Sequence, residues 1–437
     1  MQATIKRDKL FVASCLALLV TSLSFGIRAG ILGQLGKEFD LSVSELSIIA
    51  GTAFWGFPLA VVIGGFIVDV IGMKRLLVAA FLLHMAGILL TVFATGFWSL
   101  FISTLFIGMA NGTVEASCNP LVTSLFPDKK TTKLSHFHLW FPGGIVIGTL
   151  IVFLYGQSGI GNIAGFQPWQ LQVSVMLIPT LIYGYLFSKL DFPVTERVSS
   201  GVSTSQMYKS VLSPLFIFML VLMLGTGITE LFTGQWIEVL LKNVTENSIL
   251  ILALTAGTQT LGRALAGPLL HRLTPSAVLL GSSVLSALGL YLLGSVSGNM
   301  IFLAAFIFGM GVTYFWPTML GFVSENIPKS GALGINLMGG AGMFATSVYM
   351  YFMGSFYDGI IARNLPQNAS LDAYRTAAPG SAESDAFASA TSVAGPEIIN
   401  ATLVIPIILV VAFTGLYFYM RKTKTAVHTK VPATPVI

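Results

Sequence analysis

The chain has 437 residues, of which 9% are charged and 54% hydrophobic, and its mean hydropathy is +0.83. Soluble domains carry about 25% charged residues, so this composition excludes an aqueous enzyme, which would lack polar surface to cover itself. The net charge of +5 does not call for nucleic acid, because the basic residues are scattered over short connecting segments and a tail, as in a membrane protein.

A crossing helix takes roughly 20 apolar residues. Continuous apolar runs such as Leu76 to Phe93 also exclude the alternating pattern of a membrane β-barrel. In chain order the runs predict helices at 10–33, 45–71, 75–96, 98–126, 134–155 and 168–188. A second set follows at 211–240, 247–271, 275–296, 299–324, 330–357 and 398–420. The expected fold class is all-α integral membrane, with twelve transmembrane helices in two six-helix bundles. These are residues 1–189 and 211–437, joined by a polar, serine-rich cytoplasmic linker at 190–210. The segment 358–397 is rich in Ala and Ser with an acidic excess and no core pattern, which predicts a flexible external loop. Met1 to Lys9 bring three basic residues before the first apolar run and no small-residue cleavage site follows, which predicts a retained first helix. Cys15 and Cys118 both fall in apolar runs, and no disulfide is expected.

Of the 23 Lys and Arg, 17 fall in segments on the side of the N-terminus and four (Lys37, Lys242, Arg363, Arg375) on the other. That bias predicts a multi-pass cell-membrane protein with both termini cytoplasmic, the membrane being the inner one if the host is Gram-negative. The remaining two, Arg28 and Arg263, lie within helices.

Residues 65 to 75 read G-x-x-x-D-x-x-G-x-K-R, with Gly65, Asp69, Gly72, Lys74 and Arg75 in the fixed places. Gly65 allows close helix contact, Gly72 a tight reversal, and the basic pair holds the turn in the cytoplasm. Gly262, Arg263, Gly267, Pro268, His271 and Arg272 stand at the matching place in the second half. Two such turns argue for internal duplication and a pseudo-twofold axis. Arg263 lies about two and a half turns from the cytoplasmic end and needs a counter-charge, for which Glu325 is the expected partner. The first turn resembles the motif of the major facilitator superfamily, although Val70 stands where that pattern usually has a basic residue. The resemblance implies alternating access, with Gly65, Asp69, Gly72, Lys74, Arg75 and Arg263 in a conformational latch.

Helix four carries Asn111, Glu115, Asn119 and Pro120, with Glu115 some 15 Å from the inner end by helix rise. A carboxylate at that depth is costly, so it can be neutral when occluded and ionised when water reaches it, as a proton carrier must be. Asn119 lies one turn away and offers an amide to hydroxyls. Pro120 permits a bend. Glu115 could instead pair with a basic neighbour such as Arg28. The E-x-x-x-N-P sequence, followed by His136, His138 and a Pro142-Gly143-Gly144 run, resembles the fucose:proton symporter-like family of sugar transporters. The resemblance implies that Glu115 serves sugar and proton, and that His138 stands at the cavity position where that family has amides. Arg28 in helix one stands where that family carries a carboxylate. It either pairs or snorkels, or it contacts substrate.

Helix seven offers a glycine-rich polar stretch with Glu230, Gln235 and Trp236. Gln259, Trp316 with Pro317, and Asn336 complete a polar lining. The expected function is import of a small hydroxylated solute, a monosaccharide, by symport with a cation, a proton rather than sodium, carried by Glu115. The partners are substrate, cation and lipid bilayer, in a monomer without cofactor or metal. There is no Walker-type loop, no His-Glu-x-x-His pair and no clustered Cys/His set. The alternatives are an organic anion carrier clamped by Arg28, and a membrane-embedded enzyme using Glu115, Glu230 and the histidines.

Overall fold

The computed structural model describes residues 5–41, 43–233, 248–366 and 370–428. Twelve membrane-length helical segments run through them. In the first bundle these are α1 (Arg7–Glu38), α2 (Val43–Ile71), α3 (Met73–Val92), α4 (Phe97–Leu125), α5 (Pro127–Gln157) and α6 (Pro168–Lys189). The second bundle holds α7 (Pro214–Phe232), α8 (Ser248–Ala264 continued by Ala266–Arg272), α9 (Pro275–Leu293), α10 (Met300–Asn326), α11 (Gly331–Asn364) and α12 (Ala382–His428). Ten of them are apolar and long enough to cross a bilayer. The other two, α8 and α11, lie on the seam between the bundles, where α5 packs on α8 and α2 on α11. Their polarity is compatible with burial in protein rather than lipid.

The turns α2–α3, α4–α5, α8–α9 and α10–α11, with the α6–α7 connection, share one end of the molecule. Lys74, Arg75, Lys129, Lys133, Arg197, Arg272 and Lys329 stand there and make it the basic face. The connection is not a featureless linker. It contains short helices at Glu196–Ser199 and Thr204–Val211.

The segment 358–397 departs from the expected flexible loop. α11 continues to Asn364, a short helix spans Leu371–Arg375, and α12 begins at Ala382. At 47 residues, α12 is about 70 Å long, far more than the roughly 30 Å of hydrocarbon. The two helices extend beyond the bilayer as a paired rod, with Ile360, Ile361, Ala390, Ala394 and Ile398 buried. The i, i+4 stripe of α12 is built largely of alanine, which is why composition conceals it. Arg363 of α11 pairs with Glu397 of α12 at 3.0 Å across the rod, and Arg375 ties the short helix to Asp358 of α11 at 2.7 Å.

Gly72 makes the α2–α3 reversal with φ 89° and ψ 146°, a region open essentially to glycine alone. Gly72→Ala therefore lowers stability by about 1–3 kcal/mol, read as a lower thermal midpoint in detergent. An unchanged midpoint would contradict the role of glycine in this turn.

Candidate functional site

Proline shapes the seam. Its ring removes one helical hydrogen bond and displaces the carbonyl four residues earlier, and at bilayer depth that carbonyl must find another donor. Pro120 frees Ala116, whose oxygen accepts from Asn336 Nδ2 at 2.9 Å. Pro58 frees Phe54, whose oxygen lies 3.3 Å from Ser347 Oγ, a hydroxyl whose shorter contact, 2.8 Å, is with Met343 O of its own helix. Pro142 frees His138, and α5 breaks there between His138 and Trp140. Pro317 frees Thr313, at the break in α10 between Val312 and Phe315. Arg263 takes both of these carbonyls, His138 O through Nη1 at 3.0 Å and Thr313 O through Nε at 2.7 Å. In α8, Pro268 frees Ala264, whose backbone bonds His136 of α5. Four of these five bonds cross between bundles.

The third nitrogen of Arg263, Nη2, donates to Glu230 Oε1 at 2.5 Å, and both side chains are nearly inaccessible, at 1% and 4%. Glu230 sits inside a π turn at Ile228–Phe232, a local widening common at functional sites. Its other oxygen accepts from the Trp316 backbone N–H at 3.3 Å. The partner of Arg263 is therefore Glu230 and not Glu325. Glu325 lies at the end of α10, too near the basic face to reach α8's interior, and accepts from Thr131 N and Oγ1 at 3.2 and 2.5 Å.

Across the seam, Asn119 Nδ2 donates to Glu115 Oε2 at 2.5 Å, and His138 Nε2 lies 3.0 Å from Asn119 Oδ1. An ionised carboxylate only accepts, so the amide presents its oxygen to His138 and Nε2 carries the hydrogen. Nδ1 is left facing Glu115 Oε1 at 3.8 Å. Glu115 thus faces His138 and Asn119 rather than Arg28. The two clusters meet in a space also walled by Phe57, Phe141, Leu231, Trp316 and Met343, with a free volume of about 10 Å³. That is room for about one water. The ionisable groups converge, but around a collapsed site rather than an open aqueous pocket.

Other residues singled out from the sequence lie elsewhere. Asn111 is held inside the first bundle, where Oδ1 meets His84 Nε2 at 2.8 Å and Nδ2 donates to Ser24 at 3.1 Å. Tyr183 completes this chain at His84 Nδ1, 2.8 Å away. The Arg28 guanidinium lies over the rings of Phe25 and Phe54, 5.1 and 6.0 Å from their centroids. It borders a separate space of about 30 Å³ within the first bundle. Gln259 is buried on α8 one turn before Arg263 but is not among the groups walling the central space. Asn336 serves the seam through the Ala116 carbonyl. Gln235 and Trp236 lie outside the described residues.

At the basic face the α6–α7 connection stitches the bundles together. Asp69 Oδ2 accepts from Arg197 Nε at 2.5 Å, and its other oxygen accepts from the Thr195 hydroxyl. Lys130 of α5 bonds Glu196 at 2.6 Å and the Ser324 carbonyl of α10 at 3.3 Å. Lys74 donates to Leu190 O at 2.9 Å, whereas Arg75 is exposed. A Cβ at Gly65 would stand 2.8 Å from that of Asn336, so glycine there lets α11 close onto α2. Arg263 lies apart from these contacts, deep in the seam. Thr195, Glu196 and Arg197 were not evident as latch residues from sequence, since nothing in a serine-rich connection marks which of its polar groups are buried.

A family model for the Major Facilitator Superfamily matches residues 14–359. The chain belongs to this superfamily. Its helices are those of a multi-pass membrane protein. It is similar to the solute carrier family 2, facilitated glucose transporter member 10 of Danio rerio, 28% identical over 170 residues, 39% of this chain and 32% of that protein. It is also similar to the D-xylose transporter of Levilactobacillus brevis, 26% identical over 162 residues, 37% of this chain and 34% of that one. The aligned part thus spans about a third of these relatives. In three dimensions it matches the E. coli fucose:proton symporter FucP with a TM-score of 0.65 and 14% identity, covering 91% of this chain and 98% of that chain. Within the superfamily fold, the polar clusters of this chain occupy the plane where the two bundles meet.

Arg263→Gln leaves Glu230 buried without its cation, a loss of about 3–5 kcal/mol that thermal unfolding in detergent will report. Arg263→Gln/Glu230→Gln should be more stable than either single variant. Additive losses in the double variant would refute the pairing.

Proposed function

We propose that the protein imports a small hydroxylated solute, a monosaccharide, together with a proton, by alternating access. The observation that carries this reading is the Glu115, Asn119 and His138 cluster facing the Arg263–Glu230 pair across the seam. Carboxylates and amides suit sugar hydroxyls, which donate and accept at once, and the faces of Trp316 and Phe141 suit the C–H surface of a pyranose. With about 10 Å³ free, the described arrangement holds no sugar. Substrate enters only when the bundles, residues 1–189 and 211–437 about the 190–210 connection, part on one side.

The proton is carried by Glu115. Its Oε1 faces His138 Nδ1 at 3.8 Å, so one proton can be passed between carboxyl and imidazole as water enters, while Asn119 holds the other oxygen. A proton on Glu115 removes a buried charge and eases closure around the solute. The basic face is the cytoplasmic one, with both termini there, by the bias of Lys and Arg, and a monomer suffices. Similarity to a glucose and a xylose transporter supports the sugar class.

The test is uptake into proteoliposomes over a panel of sugars and organic acids, with and without a pH gradient. A gradient of about one unit sustains up to about tenfold accumulation by one-to-one symport. Glu115→Gln should keep sugar exchange and lose accumulation. Accumulation that survives in Glu115→Gln, or that requires sodium, would overturn the proton assignment; uptake confined to organic acids would overturn the sugar.

A further inference from the structure

Away from the seam, a cavity of about 550 Å³ lies at the basic end of the second bundle. It is enclosed by the α8–α9 turn, α10 and α12. Arg272 lines it from the turn and Arg421 from α12, with Phe322, Tyr417 and Met420 as an apolar wall. No carboxylate lines it among the described residues. The first turn of α9 also borders it. Thr274 caps that helix by accepting from Ala277 N at 3.4 Å, and the positive end of a 19-residue helix is added to the two guanidinium groups.

The cavity lies where the apolar span of α12 gives way to its basic end. Val411, Phe418 and Tyr419 of α12 are 71%, 54% and 57% exposed, so this helix meets acyl chains up to its last turns. Beyond them the chain continues with Arg421, Lys422 and Lys424. A soluble anion would need the charge and not the apolar wall. A hydrocarbon chain alone would need the wall and not the charge.

We propose that this cavity binds the phosphate headgroup of an anionic phospholipid, with Arg272 and Arg421 on the phosphate and the glycerol and upper acyl carbons against Phe322, Tyr417 and Met420. Basic pockets between helices at the cytoplasmic surface recognise such headgroups through charge and hydrogen bonding together. The site is independent of the substrate proposed above. It would tie the second bundle to the leaflet while the first moves.

The experiment titrates the purified, delipidated full chain in neutral detergent with phosphatidylglycerol or phosphatidylcholine of the same acyl chains, read by native mass spectrometry. Phosphatidylglycerol should bind more tightly than phosphatidylcholine. Arg272→Gln/Arg421→Gln should weaken it by about thirtyfold, about fivefold for each arginine. Arg272→Lys/Arg421→Lys should keep most of the affinity, which separates lost charge from lost fold, and Lys189→Gln/Lys209→Gln should leave it unchanged. Equal phosphatidylglycerol affinity in wild type and Arg272→Gln/Arg421→Gln would overturn the site. So would an equal loss in Lys189→Gln/Lys209→Gln. Displacement of the lipid by inorganic phosphate at matched concentration would reassign the cavity to a soluble anion.

Discussion

A carbonyl freed by proline inside a bilayer has no water to turn to, and the seam of this protein is built around that constraint. Pro120, Pro142 and Pro268 each release an oxygen that a side chain of the opposite bundle takes up, Asn336, Arg263 and His136, and the oxygen that Pro58 releases lies 3.3 Å from Ser347. Closing the bundles and satisfying the backbone are therefore one event. When the seam opens, water can replace those donors, so the exchange need not leave a polar group bare. An interface of interlocked aliphatic side chains would lack this reversibility.

Charge follows the same logic. Arg263 is tolerated at depth because its three donor nitrogens are committed to two freed carbonyls and a carboxylate. Glu230 is tolerated because the π turn aims it at that guanidinium and at the Trp316 amide. Glu115 differs, held by Asn119 and facing His138, while Arg263 across the same space is bonded to Glu230 instead. It is the deep acid whose charge has the fewest fixed partners, and that asymmetry underlies its proposed role. The Asp69, Arg197 and Lys130, Glu196 pairs at the basic face add a second closure, farther from the site.

Helix number, class and the Gly72 turn were legible because length and hydropathy impose them. So was the convergence of Glu115, Asn119, His138, Glu230 and Trp316, since ionisable groups at depth must face protein. Asn111 was misjudged for a geometric reason. Residues four apart drift by about 40° around a helix, so Asn111 and Asn119 flank Glu115 on opposite sides, and Asn111 turns inward to His84. The partner of Arg263 was missed because the π turn that positions Glu230 has no sequence mark and the residues are distant in the chain. The prolines were visible, and so were the carbonyls four residues before them. Their donors were not, because only the packing of α5 on α8 and of α2 and α4 on α11 brings them within reach.

The central claim is that donors to freed carbonyls hold the bundles together along the seam, with Asn336 the one nearest the basic face. Spin labels at positions 129 and 329, with Cys15 and Cys118 replaced by alanine, measure the separation at that face by pulsed electron resonance. In Asn336→Ala, with every ion pair intact, a longer distance should appear beside the short one of the parent protein. An unchanged distribution would mean that the Asn336 donor has no part in closing that face.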